Sequence, residues 1–184
     1  GREALGAKDL PVYVMPKMAN FLKTNGPWSQ LEKLENIVIN ELRDETELEL
    51  TNNLTFTPYQ VPHRDEFSET VGFTFKGPSK QLLFIPDIDK WEKWELDITG
   101  IIEKVDYALL DGTFYDNDEL PGRDINEIPH PFIVESIERF SQLEEFERKK
   151  IHFIHFNHTN PVMDINSEKR IFASEFGMIF CFQG

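Results

Sequence analysis

Three residues share a setting that suits metal chemistry. His63 follows the apolar run TFTPYQVP, Asp87 follows LLFIP, and His155 stands near the end of IHFIHF. A polar side chain just past an apolar strand lies where a sheet edge meets solvent and loops converge. Two imidazoles and a carboxylate are the donors that a zinc or iron site uses, and a carboxylate can bridge two ions. Taken alone, each fits a surface or hydrogen-bonded role better; order and context are what join them. His152, inside the same strand as His155, reads as structural. Asn157, Thr159 and Asn160 before Pro161 suit capping of a loop and turn, with support of His155 as the sharper alternative. Cys181, inside MIFCF, reads as a small buried apolar residue, and Trp28, Trp91 and Trp94 as packing residues.

These residues need a scaffold, and the pattern supplies one. Arg2 to Ala7 reads as the last turns of a helix, PVYVMP as a short strand, and Pro16 to Asn25 as a helix that Gly26 stops. From Asn36 to Phe75 the segments IVINEL, ELELTNN, LTFTPYQV and TVGFTF, punctuated by Asp, Asn, Pro and Gly, predict an antiparallel meander. QLLFIP is the next strand, 89 to 105 a helix, and YALL (107 to 110) a buried strand. A polar loop then leads to a helix near Pro131 with Phe132, Ile133, Ile137 and Phe140 on one face, followed by a charged, solvated QLEEFERKK. IHFIHF is a strand, NSEKRIFASEFG a helix ended by Gly177, and MIFCF a last strand. A meander followed by β-α-β-α-β-α-β predicts a layered α/β sandwich over a doubly wound sheet.

Composition narrows the partners. With 184 residues and 40% hydrophobic content the chain can bury a core as one domain. Its 33 acidic and 19 basic residues give a formal charge of -14, which opposes attraction to nucleic acid and anionic lipid. One cysteine excludes an internal disulfide. No stretch approaches the ~18 apolar residues of a membrane span, so a soluble chain is expected, cytoplasmic or periplasmic. The opening GREALGAKDLPVYV has no initiator methionine or helix cap, and the chain is expected to continue a longer protein.

VPHRDEFSETVGFTFKGPSKQLLFIPDID and KKIHFIHFNHTNP resemble the third, fourth and fifth motifs of the metallo-β-lactamase superfamily. Within it, YALLDGTFYDNDEL and IHFNHTNP are most similar to the pyrroloquinoline-quinone biosynthesis protein B family. The resemblance implies an αββα sandwich with His63, Asp87 and His155 as metal ligands. The family's HxHxDH run is absent from this chain. The resemblance therefore implies that residues 1–184 are the C-terminal portion of a single domain, incomplete at its N-terminal side. The site would hold zinc or iron, two ions in the intact protein and only part of that centre here.

The DGTF loop is also similar to a loop of the transfer-RNA 3′-end-processing ribonucleases. That similarity implies that Asp111 orients His130, which acts as proton donor or substrate contact. The alternative stays open: Asp111-Gly112 as a turn, and His130 beside two prolines as a helix entrance. PHPF differs from the ribonucleases' His-Ser-Thr, which speaks against phosphodiester recognition of that type. His158 is assigned no role.

Three functions follow as expectations. The first is a metal-dependent hydrolase, in which an activated water attacks an ester, phosphoester or lactam of a small-molecule substrate. Asp87 favours it. The second is an iron- and oxygen-dependent oxidoreductase in quinone cofactor biosynthesis. The third is a non-catalytic fragment or binding module that forms a homo-oligomer or associates with its N-terminal half.

Overall fold

The computed structural model describes residues 6–124 and 127–181. It is a mixed α/β fold with two sheets. Strand β1 (Leu10–Val14) leads into helices α1 (Pro16–Thr24) and α2 (Gly26–Lys33), and strand β2 (Ile37–Glu41) returns parallel to β1 as a separate two-stranded sheet. The other sheet has seven strands in chain order: β3 (Leu48–Thr51), β4 (Leu54–Gln60), β5 (Val71–Lys76), β6 (Gln81–Ile85), β7 (Tyr107–Asp111), β8 (Ile151–Ile154) and β9 (Ile179–Phe180). Pairing is antiparallel from β3 to β6 and parallel from β6 to β9. The change occurs where helices α3 (Ile98–Ile102), α4 (Ile133–Phe140), α5 (Glu145–Arg148) and α6 (Glu168–Glu175) begin to alternate with strands. Parallel neighbours need such crossovers, whereas antiparallel ones need only turns.

Alternation along the strands divides the core. Leu83 and Ile85, Ala108 and Leu110, and Ile151 and Phe153 all face one side, where Ile98, Ile102, Ile133, Ile137 and Phe140 cover them. The last three stand at helical spacing and bury one face of α4, at roughly 1.5–3 kcal/mol per side chain. On the opposite side, Tyr13, Met15 and Leu42 pack on Phe56, Phe73 and Phe75, so the small sheet covers the β3–β5 region. Further along that side Leu82, Phe84, Leu109 and Ile154 are half-buried, and Tyr107 and Ile179 are exposed.

Several sequence expectations need correcting. Gly26 opens α2 instead of stopping α1: Asn25 caps the junction and Pro27 suits the first turn, where an N–H is not needed. IVINEL leaves the meander, because two intervening helices carry the chain back parallel to β1. The segment 89 to 105 is a 3-10 turn (Trp91–Lys93) and the short α3, separated where the Asp97 side chain accepts from the Thr99 amide. The segment QLEEFERKK is not wholly solvated, since Leu143 and Glu147 are buried. IHFIHF loses its last two residues from the strand. In MIFCF only Ile179 and Phe180 pair, and Cys181 is half-buried. Trp28 is largely exposed, against its assignment to packing. The helix read over Arg2 to Ala7 lies mostly outside the described residues.

Trp91 and Trp94 are buried, and each indole finds an acceptor: Ser136 Oγ at 2.9 Å and the Gln60 carbonyl at 3.0 Å. Ser136 itself is fully buried on α4. Ser136→Ala leaves the Trp91 N–H unpaired in an apolar core and is expected to cost about 1–3 kcal/mol in urea unfolding.

Candidate metal centre

The ends of β4, β6, β7 and β8 bring His63, Asp87, Asp111 and His155 to one rim of the sheet, and the loop ahead of α4 adds His130. Asp111, the last residue of β7, is fully buried. Its Oδ1 accepts from the Thr113 amide (2.8 Å) and hydroxyl (2.6 Å), and its Oδ2 accepts from the Ile88 amide (3.3 Å) and from His130 Nδ1 (2.8 Å). Burial, the largest influence, pushes its pKa up. The hydrogen bond from His130, then the influence of His155, the charge of His130 and the Thr113 bond, outweigh that and hold it below the usual carboxylate range. Asp111 is therefore ionised, with both oxygens already engaged.

The Thr113 hydroxyl passes this bonding on. Its one proton goes to Asp111, so its lone pair accepts from His155 Nδ1 at 2.9 Å. At 4.0 Å from Asp111 Oδ1, His155 Nδ1 is too distant for a direct hydrogen bond and acts on it through charge. The Asp111 carboxylate nevertheless raises the His155 pKa against the opposing effect of burial, and Asp87 adds to the rise. With Nδ1 of both His130 and His155 committed as donors, their Nε2 lone pairs are the ones left for another partner.

Asp87 and His63 complete the cluster. His63 Nε2 lies 3.2 Å and His130 Nδ1 3.4 Å from Asp87 Oδ1. Neither contact has hydrogen-bond geometry, and this buried oxygen has no hydrogen-bond partner; nor has the buried His63 Nδ1. The imidazole of His130 stands between those of His63 (5.4 Å between centroids) and His155 (6.2 Å). One donor atom from each of Asp87, Asp111, His130 and His155 falls within 4.8 Å of the others. The donor chemistry fits an ion: nitrogen and oxygen donors converge, and Asp87 Oδ1 within this set and His63 Nδ1 beside it are buried without a hydrogen-bond partner. The structure thus gathers His63, Asp87, His155, Asp111 and His130 at one place. His152 and His158 lie outside it: His152 packs against Tyr107, with burial lowering its pKa, and His158 is exposed.

Backbone details hold the rim in shape. β8 stops at Ile154 because His155 takes a left-handed conformation (φ 63°), one that a non-glycine residue adopts at a cost. Gly112 passes so close to β8 that a Cβ there would meet Phe153 and Phe156 at 2.9 Å. Asn160 is buried; its amide donates to the Gly112 and Thr113 carbonyls, and its Oδ1 caps the turn Pro161–Met163. The first motif missed by the sequence reading is this Thr113 bridge, which the DGTF string contained without revealing its partner.

Comparison with known proteins follows this geometry. A model of the beta-lactamase superfamily domain matches residues 2–156, and the chain belongs to that superfamily. It is similar to coenzyme PQQ synthesis protein B of Nitrosococcus oceani, 29% identical over 136 residues that make up 69% of this chain and 43% of that protein. The chain spans about half the length of the curated relatives it matches. Its fold matches Zn(2+)-bound PqqB from Methylobacterium extorquens with a TM-score of 0.78 at 20% identity, over 96% of this chain and 64% of that one. A diphosphatase from the PhnP family matches with a TM-score of 0.56 at 16% identity, over all of this chain and 60% of that one.

The left-handed backbone at His155 gives a direct test. His155→Gly is expected to be more stable than His155→Ala by about 1 kcal/mol in chemical denaturation, the reverse of the usual order for these two residues. Equal stabilities, or Ala the more stable, would remove the strain assigned to this position.

Proposed function

We propose that this chain carries part of the active site of a metal-dependent hydrolase. The observation that carries the reading is the convergence of Asp87, Asp111, His130 and His155, with His63 against Asp87 and with Asp87 Oδ1 and His63 Nδ1 buried without a hydrogen-bond partner. His63, Asp87 and His155 would hold zinc or iron, the intact protein binding two ions. A bound ion supplies the Lewis acidity that makes water nucleophilic at neutral pH, for attack on an ester, phosphoester or lactam. The similarity to a diphosphatase is consistent with hydrolysis.

In this reading the protein's own groups divide the work. Asp111 and Thr113 orient the imidazoles of His130 and His155 through Nδ1. Holding a ligating histidine through Nδ1 in this way is an arrangement that metal sites generally use. His130, held through Nδ1 by Asp111, takes up at Nε2 the proton released by the attacking water and returns it to the leaving group. Asp87, whose Oδ1 has no hydrogen-bond partner, would help to hold the ion, and the side chain of His155 is half exposed.

A second reading rests on the similarity to coenzyme PQQ synthesis protein B: an oxygen-dependent oxidoreductase acting on a quinone precursor with iron in the same site. Oxygen uptake with the iron-loaded protein, and none with zinc, would favour it over hydrolysis.

In the intact protein, His63→Ala, Asp87→Asn and His155→Ala should each lower the metal bound after dialysis, measured by elemental analysis. Asp111→Asn should weaken affinity by about 10–100-fold without removing a ligand. Unchanged metal content in the first three variants would refute the assignment.

A further inference from the structure

Beside the five-residue cluster lies a cavity of about 180 Å³ lined by His63, Arg64, Phe114, Arg123, Ile128 and His130, together with Pro129. Whole small-molecule ligands occupy sites of roughly 300–1,000 Å³, so this space suits one functional group of a larger molecule. Its two cations, Arg64 and Arg123, are exposed. Acidic residues outnumber basic ones 33 to 19, and most lysines near carboxylates are paired with them, as Lys17 is with Asp65, Lys90 with Glu135 and Lys169 with Asp116. Arg64 and Arg123 have no ion pair or side-chain hydrogen bond among the described residues. Among the described residues no carboxylate lines their cavity.

The other side of His63 has the opposite polarity. The larger hollow there is lined by Asp44, Glu45, Asp65, Asp89 and Glu95, with Lys93 as its one cation. An anionic group approaching the cluster is repelled on that side and drawn to the arginines on this one. Guanidinium groups present paired N–H donors that match the two oxygens of a carboxylate or phosphate, and Phe114, edge-on to His130, closes the apolar wall.

We propose that Arg64 and Arg123 form a binding site for an anionic substituent of the substrate, a phosphate or carboxylate, next to the atoms that reaction would involve. The proposal deepens the hydrolase reading and rests on it for the word substrate; the anion site itself stands on the two arginines. Neither arginine is assigned a role in holding metal.

The test is calorimetric titration of the full chain, zinc-loaded and zinc-free, with inorganic phosphate and separately with malonate. Arg64→Gln and Arg123→Gln are each expected to weaken binding about tenfold or more, the usual consequence of losing a charge-assisted hydrogen bond, with zinc content unchanged. Lys33→Gln, on the exposed surface of α2, should bind as the parent does. The tighter of the two probes identifies the anion class. Binding by the parent that needs zinc but survives both arginine changes would overturn the proposal and leave the metal reading standing. Arginine-dependent binding that persists in a His155→Ala protein unable to take up zinc would support the proposal independently. No anion binding by the parent, or an equal loss in Lys33→Gln, would also overturn it.

Discussion

A carboxylate with no access to water stays charged only if the protein replaces its hydration completely, and Asp111 is in that position. It receives donors from three separate stretches of chain: the Ile88 amide after β6, Thr113 in its own loop and His130 just ahead of α4. Each bond ties one wall of the site to the end of β7. Through Ile88 it fixes the turn that carries Asp87; through Thr113 it reaches His155. Removing the charge would loosen those walls together, although His130 Nδ1 also lies 3.4 Å from another carboxylate oxygen, Asp87 Oδ1.

The same arrangement explains why the site can be assembled from distant parts of the sequence. In the parallel half of the sheet every strand ends on the same rim, so residues 87, 111 and 155 meet although the chain separates them by two helical crossovers. Gly112 allows the loop after β7 to lie directly on β8, and Asn160 then pins that loop from the far side. The left-handed turn at His155 ends β8 and turns the chain toward the cluster. Packing of α4 against Leu110 and Phe153 belongs to the same unit, since its entrance carries His130.

Much of this was legible in the sequence, for identifiable reasons. The strands of the sheet announce themselves by alternation or by short apolar runs, and α4 by its 133, 137, 140 spacing. The parallel β1–β2 pair was not legible, because strand partnership depends on the intervening crossover and IVINEL looks like any meander strand. Trp91 and Trp94 fill a helix-like pattern yet sit in a tight turn and an extended segment, since their indole N–H groups must reach particular acceptors. At the site, residue type and strand context pointed to His63, Asp87, Asp111, His130 and His155. The Thr113 relay, the strained backbone at His155 and the convergence of Arg64 with Arg123 depend on three-dimensional closure, and no local pattern records them.

The central claim is that Asp111 sets the tautomers of His130 and His155, directly in one case and through Thr113 in the other. Long-range ¹⁵N–¹H NMR of the full metal-free chain in alkaline buffer reads those tautomers. The account predicts Nδ1–H with an unprotonated Nε2 for both imidazoles, and loss of that preference in Asp111→Asn. An Nε2–H tautomer at either histidine in the parent protein, or a spectrum that Asp111→Asn leaves unchanged, would contradict it.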